Sequence, residues 1–140
     1  MSLNAIFDIA GSAMSAETIR LSTSAENMSN ANVERSSPDE VYQPKYPIFQ
    51  TVQESQNKWM GNQIKAGVQV KGIYESTIEP SKRYDPNNPM SDDKGFVYTS
   101  NVNSVEQMAN VISASRSYQM NIELVNTTKQ LMQRTLQLGE

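Results

Sequence analysis

The longest patterned stretch of the chain is residues 103–138, NSVEQMANVISASRSYQMNIELVNTTKQLMQRTLQL. Alternating steps of three and four residues lead from Met108 to Leu136, and seven of the nine positions reached are apolar. Such spacing places all nine on one face of a single long α-helix. The positions are Met108, Val111, Ser115, Tyr118, Ile122, Val125, Lys129, Met132 and Leu136.

The ends of this helix carry boundary signals. Asn103 followed by Glu106 is typical of a capping box at the start, and Gly139 favours a stop at the end. A helix of about 35 residues is about 52 Å long. Because that exceeds what a compact domain of 140 residues ordinarily holds, the helix is predicted to extend beyond a single core.

Residues 4–30 predict a second long helix, about 40 Å in length. Phe7, Met14, Leu21 and Met28 recur every seven residues. A small residue follows each of the first three by four positions, which would let another helix approach closely. The run NMSNAN at 27–32 has the chemistry of a turn and helix cap.

The middle of the chain has a different composition. All six prolines lie between positions 38 and 89, and four of the six glycines lie between 61 and 95. Since Pro ends helices and Gly weakens them, we expect an irregular, β-rich insert at 33–100 between helical segments at 1–32 and 101–140. Strands are predicted at 46–52, 68–78 and 96–98, with a loop around Gly61 and a dense turn at 84–95. The predicted fold class is α+β.

Composition excludes several classes of function. The chain contains no Cys and no His, which removes disulfides, thiolate chemistry, common zinc sites and Ser-His-Asp triads. A formal net charge of −3 argues against a nucleic-acid-binding protein. No apolar run reaches the roughly 20 residues that a bilayer needs. Because the first basic side chain is Arg20, we also expect no cleavable secretory signal.

The predicted core is marginal. Leu, Ile, Val and Phe make up 28 of the 140 residues, which is close to the compositional border of disorder. The two helical segments carry only ten charged residues in 72, so uncharged polar side chains stand opposite their apolar faces. An isolated amphipathic helix normally has a charged outer face. These helices are therefore predicted to be contacted on several sides.

Two features of the insert have alternative interpretations. Asp85, Asn87, Asp92 and Asp93 are potential calcium ligands, but their spacing fails the EF-hand pattern. A structural turn is the favoured interpretation, and an acid/base pair at 92–93 is disfavoured. Trp59 is interpreted either as a loop-tip residue over a local cluster or as a contact with a neighbouring subunit or cell-envelope polymer. We predict no catalytic, cofactor-binding or metal-binding residue.

Several motifs together resemble one family. FDIAGSAMSA at 7–16 and AENMSNA at 25–31 are similar to the opening of bacterial flagellar rod and hook proteins. YDPNNP at 84–89, SASRSY at 113–118 and TLQLG at 135–139 follow in the order found in that family. With the chain length, they resemble the subunits of the proximal rod in the flagellar basal body.

This resemblance implies a structural, non-enzymatic subunit of a shaft that spans the periplasm and transmits torque from motor to hook. It further implies export through the flagellar type III apparatus, and assembly with itself and with other rod proteins. The terminal helices would pair as an antiparallel coiled coil, without nucleic acid, membrane insertion, small-molecule substrate or cofactor. The predicted assembly set comprises Phe7, Met14, Leu21, Met28, Met108, Val111, Tyr118, Ile122, Val125, Met132 and Leu136.

Two other classes remain as hypotheses. A helical export chaperone or adaptor of a type III secretion system would bind clients through the methionine-rich face. Such a chaperone is expected to carry an acidic exterior, which the weakly charged helical segments lack. An enzyme acting on peptidoglycan is disfavoured because no carboxylate pair has the separation that glycoside hydrolysis needs.

Overall fold

A computed structural model describes residues 3–55 and 64–138 of the chain. Two long helices lie before and after a small antiparallel β insert along the chain, so the predicted α+β class is confirmed. The elements in chain order are α1 (Leu3–Asn30), β1 (Glu34–Arg35), a 3-10 turn (Pro38–Glu40), β2 (Lys45–Ser55), β3 (Ile64–Glu75), β4 (Ser81–Tyr84), β5 (Phe96–Thr99) and α2 (Ser104–Gln137).

Both helices have nearly the predicted extent, 28 residues in α1 and 34 in α2. Asn103 caps α2, because its Oδ1 accepts hydrogen bonds from the N–H of Val105 at 3.1 Å and of Glu106 at 3.3 Å. The predicted cap residue is thus confirmed. The predicted stop at Gly139 lies outside the described residues.

Helix α1 ends where the sequence predicted, but four of the six residues with turn and cap chemistry at 27–32 are helical. Helix α1 continues to Asn30, and the turn occupies only Ala31 and Asn32. Asn side chains favour turns when they bond to nearby backbone. Asn27 instead reaches the backbone of Lys45 at 2.8 Å, so the helix need not end there.

Strands β2 and β3 form an antiparallel pair from Lys45↔Glu75 to Ser55↔Ile64, with a register shift between Ile48 and Phe49. Both predicted strands are confirmed, although β3 ends at Glu75 and not at residue 78. The next residue after β3, Ser76, donates its N–H to Pro44 O at 2.8 Å, just beyond the last pair of β2 and β3. The predicted loop around Gly61 lies outside the described residues.

A second sheet has the strand order β1-β5-β4, all antiparallel. Strand β5 confirms the prediction at 96–98. Strands β1 and β4 were not predicted, and Tyr84, expected in a turn, ends β4. All four residues of β4 are exposed, so the sequence there lacks the alternation of apolar and polar residues that signals a strand.

Helix α1 is the central element, since it packs against α2, β2 and β3. Strand β3 crosses it closely at Ser12, whose Oγ accepts a hydrogen bond from the Val68 N–H at 3.1 Å. A Cβ at Gly67 would lie 2.9 Å from the same oxygen. Glycine at this position therefore permits the close approach of β3 to α1.

The interior is built from small and polar side chains. Its buried apolar residues are Ala10, Ala16, Ala31, Val41, Val97 and Ala114. Its buried polar residues are Thr23, Ser24, Asn27, Ser76, Ser100, Gln107 and Thr128. The chain exposes 10289 Å² of surface, against about 7,300 Å² for a compact monomer of its mass. The marginal core expected from composition is thus visible in the packing.

Candidate assembly surface

The two helices touch with the end of α1 against the start of α2. Asn27 Nδ2 donates to Gln107 Oε1 at 3.2 Å, and Arg20 Nη2 donates to Asn110 Oδ1 at 3.1 Å. Every residue from 131 to 138 is exposed. The last two turns of α2 therefore present all their side chains to solvent in a single copy.

The structure divides the predicted assembly set into two groups. Six members are half-buried: Phe7, Met14, Leu21, Val111, Tyr118 and Val125. Five are exposed: Met28, Met108, Ile122, Met132 and Leu136. The first group therefore contributes to packing within the chain, and the second is available to a neighbour.

A second apolar stripe on α2 escaped the sequence analysis. Its members are spaced by four, seven and seven residues, which places them on one helix face. They are 44% to 88% exposed. We call this the outer stripe: Met120, Leu124, Leu131 and Leu138, the last being the residue that caps the end of α2.

The signal for the outer stripe was present in the sequence as a second seven-residue repeat, from Leu124 through Leu131 to Leu138. This repeat is shorter than the one from Met108 to Leu136, which dominates the pattern of the helix. Val105 and Ile112 are likewise spaced by seven residues and exposed, on the first turns of α2. Helix α2 thus has apolar residues on more than one face, as in a helix that is contacted from several sides.

The outward face of α1 has the opposite character. Exposed residues recur at alternating steps of four and three, and all of them are small or short. Because side-chain size sets the distance between packed helices, such a face admits a close neighbour. The residues are Asn4, Asp8, Gly11, Ser15, Thr18, Ser22, Ala25 and Ser29.

The aspartate-rich loop of the insert has a structural arrangement. Asp92 Oδ1 accepts hydrogen bonds from the N–H of Lys94 at 2.9 Å and of Phe96 at 2.8 Å, and its Oδ2 accepts one from Tyr98 Oη at 3.2 Å. These bonds, led by the one from Phe96, lower the pKa of the Asp92 carboxyl. Within 3–55 and 64–138, the carboxylates form no group of three positioned to hold a metal ion.

Gly95 closes this loop with a positive φ of 78°, a conformation that favours glycine. Its N–H donates to Asp92 O and its carbonyl accepts from the Asp85 N–H, each at 2.9 Å. A turn at this place was predicted, and the positive φ explains why it contains a glycine. Trp59, for which the sequence left two interpretations, lies outside the described residues.

No helix in the described part of the chain combines the length and apolarity needed to cross a bilayer. The prominent features are instead two long helices with a small-residue interior and large apolar side chains outside. Protein surfaces of this kind mark contacts with other proteins. The geometry therefore indicates an assembly surface.

Comparisons with known proteins agree with this geometry. Residues 93–138 match the family described as flagellar basal body rod FlgEFG protein C-terminal. The chain is 44% identical to the flagellar basal-body rod protein FlgC of Yersinia enterocolitica and 41% identical to that of Salmonella typhimurium. It is 37% identical to FlgC of Buchnera aphidicola from Acyrthosiphon pisum. Each alignment covers 100% of both chains.

Identity of this extent over the full length decides between the hypotheses left open by the sequence. It favours the rod subunit over the export chaperone and the peptidoglycan enzyme. The chain belongs to the FlgC family of flagellar basal-body rod proteins, and it is a structural subunit of the rod and not an enzyme.

Proposed function

We propose that α1 and α2 pair as an antiparallel coiled coil in the wall of the rod, with the insert on its outside. In this arrangement the chain comprises an axial helix at 1–32, a β-rich insert at 33–100 and a second axial helix at 101–140. The helices polymerise with further copies and with other rod proteins, and the resulting shaft transmits torque from motor to hook.

One observation carries this proposal: the helix pair buries alanine, serine and threonine and exposes leucine, isoleucine and methionine. Ala16 and Ala114 are buried, whereas Leu131 is 53% exposed. Burial of large side chains supplies most of the free energy of association, about 25 cal/mol for each Å² of apolar surface. Neighbouring subunits are therefore the natural source of that burial.

The two outward faces are different from each other. Large side chains of the outer stripe project from α2, while short side chains face outward from α1. A contact between unlike faces on two subunits is heterologous, and heterologous contacts that do not close into a ring generate helical arrays. This supports an open polymer over a closed dimer.

We further propose that the subunit reaches the rod through the flagellar type III export apparatus, without a cleavable signal, and that the rod crosses the periplasm. The small core supports this route. Because few large side chains are buried within one copy, the chain loses little burial free energy when it unfolds for export.

The test is a charge placed on the outer stripe. Leu131→Asp should abolish swimming and leave basal bodies without a complete rod, in cells whose own copy of this gene is deleted. The matched control is Gln130→Asp, on the same turn and also exposed. The control introduces the same charge on a different face, and it should swim normally.

Two further measurements complete the test. Both variants should show the circular dichroism spectrum of the parent chain, because both sites are exposed in a single copy. Electron microscopy of the purified parent chain at rising concentration should show tubes or filaments. Normal rods in the Leu131→Asp strain would contradict the proposed interface, and persistent small particles from the parent chain would favour a chaperone.

A further inference from the structure

Asn27 is a fully buried polar side chain whose hydrogen-bonding capacity is completely used. Its Nδ2 donates to Lys45 O at 2.8 Å and to Gln107 Oε1 at 3.2 Å. Its Oδ1 accepts from the Lys45 N–H at 2.9 Å and from Tyr42 Oη at 2.8 Å. Such a network is costly if any partner is missing, so it strongly favours one arrangement of its members.

This network stands where three elements meet. Asn27 is on the last turn of α1, Lys45 is the first residue of β2, and Gln107 is on the first turn of α2. Gln107 is 1% exposed. The network therefore joins both helices and the root of the insert at a single point.

A second hydrogen bond between the helices joins the half-buried Arg20 and Asn110 at 3.1 Å. The remaining buried side chains between the helices specify position poorly. Ala16 and Ala114 are small and apolar. Thr23 and Thr128 donate to carbonyls of their own helices, Ile19 O at 2.7 Å and Leu124 O at 2.8 Å. None of these four side chains therefore donates a hydrogen bond from one helix to the other.

Gln107 also carries an unfavourable feature. Its Nε2 is buried and forms no hydrogen bond of normal geometry in the described part of the chain. Burial raises the pKa of the nearby Tyr46 hydroxyl, and a weaker contact with the Gln107 side chain lowers it. A buried unsatisfied donor destabilises a protein, and an apolar side chain of the same size would avoid that cost. Its presence is explained if the other end of the amide, Oε1, selects one alignment of the helices.

We propose that Asn27 and Gln107 form a polar lock that fixes the register of α2 against α1 and, through Lys45, the position at which the insert leaves the helix pair. The lock acts within one copy of the chain. It concerns the helix pair used in the proposed function, but it does not depend on which face meets a neighbour.

The test removes the acceptor while keeping the size of the side chain. Spin labels are attached to two cysteines that replace Ser22 and Gln119. In Gln107→Leu, the distribution of distances between these labels should broaden, or gain a second population displaced by about 5 Å, which is one helical turn. Both label sites are exposed, and the chain has no Cys of its own. Measurements use labelled chains diluted in unlabelled protein, at a concentration where circular dichroism shows both helices formed.

Two matched variants separate the lock from general damage. Gln107→Glu keeps the acceptor at the N-terminal turn of α2, where the helix dipole favours negative charge, and should retain the narrow distance distribution of the parent. Ser12→Ala removes the contact with β3 but not the lock, and should also retain it.

The equilibrium constant for unfolding of Gln107→Leu should stay within about threefold of the parent, since the lost hydrogen bond is offset by removal of the unsatisfied donor. Gln107→Met serves as a second apolar variant if Leu fits poorly. Narrow, unshifted distributions in both apolar variants would overturn the lock, as would equal broadening in Ser12→Ala. Broadening in the apolar variants would support the lock even if the parent chain formed no tubes or filaments, an outcome that would count against the proposed function alone.

Discussion

The helix pair and the β insert obtain their order in different ways. The pair buries small side chains and exposes its largest apolar ones, whereas the three-stranded sheet of the insert buries Val97 completely. The adjacent loop is tied by three hydrogen bonds to the Asp92 carboxylate. The insert can therefore be ordered within one copy, whereas we expect the helices to gain much of their stability from neighbouring subunits.

The largest expected effect is the loss of assembly on placing a charge in the middle of α2. Val125→Asp should abolish rod formation and motility, because a half-buried carboxylate without a partner costs about 3 kcal/mol. Ile122→Asp, at a more exposed position, should also block assembly but disturb the isolated chain less. Motility assays and electron microscopy of basal bodies measure the outcome.

In both variants the insert should remain folded. The hydrogen-exchange rate of the Val97 amide measures this. Loss of protection there in Val125→Asp would show that the two regions fold as one unit. Normal motility of either variant would remove its position from the assembly set.

A second prediction concerns the isolated chain at low concentration. Amides of the helices, at 4–30 and 104–137, should exchange many-fold faster than those of the β4–β5 pair, since the helices leave much apolar surface uncovered. Hydrogen exchange followed by mass spectrometry measures the contrast. On assembly, the helical amides should become protected. Strong protection of both helices in dilute solution would show that the pair is stable without neighbours.

The third prediction tests the order within the insert. Gly95→Val should destabilise the loop by about 1–3 kcal/mol, because a side chain is strained at positive φ. Its Cβ would also lie 2.9 Å from Tyr84 Cε2 and 3.2 Å from Pro86 Cβ. Gly72→Ala is the control, since nothing lies within 4 Å of the added atom. Chemical denaturation should show a lower midpoint for Gly95→Val only.

The smallest effect is expected from Asp92→Asn combined with Asp93→Asn. Asn keeps an oxygen that can accept the N–H groups of Lys94 and Phe96, so motility should be near normal and the midpoint of chemical denaturation should change little. Lost motility in a folded variant that enters the rod would instead reveal a charge-dependent role for the loop.

Acid unfolding of the single variant Asp92→Asn provides a second measurement at this loop. Hydrogen bonds to the carboxylate lower the pKa of folded Asp92 below its ordinary value of 3.8. The stabilisation is therefore present above pH 3.8 and disappears as pH falls through the folded pKa. Unfolding measured from pH 5 to pH 2 should show a weaker dependence on pH in Asp92→Asn.

Prediction from sequence succeeded where a long repeat or a local signal was available. The heptads located α1 and α2 within a few residues, Asn103 marked the start of α2, and a turn rich in Asp, Asn and Pro preceded β5. Failures occurred where long-range partners decide the structure. Strand β4 has only exposed residues, and Asn27 is drawn into the interior by Lys45 and Gln107, which are distant in sequence. The outer stripe was readable, but only as a weaker repeat beneath the first.

The shallow interior also has a mechanical consequence. When a protein is pulled from one end, resistance comes from interlocking large side chains and from hydrogen bonds that must break together. Between α1 and α2, the apolar contacts centre on alanines such as Ala16 and Ala114, which offer little to interlock. The hydrogen bonds of Arg20 with Asn110 and of Asn27 with Gln107 are exceptions, and both lie in the half of α1 that is farther from Leu3. If the chain is pulled from its N-terminus, the force needed to separate α1 from α2 should therefore be low over the first part of α1. It should be highest near the last turn of that helix.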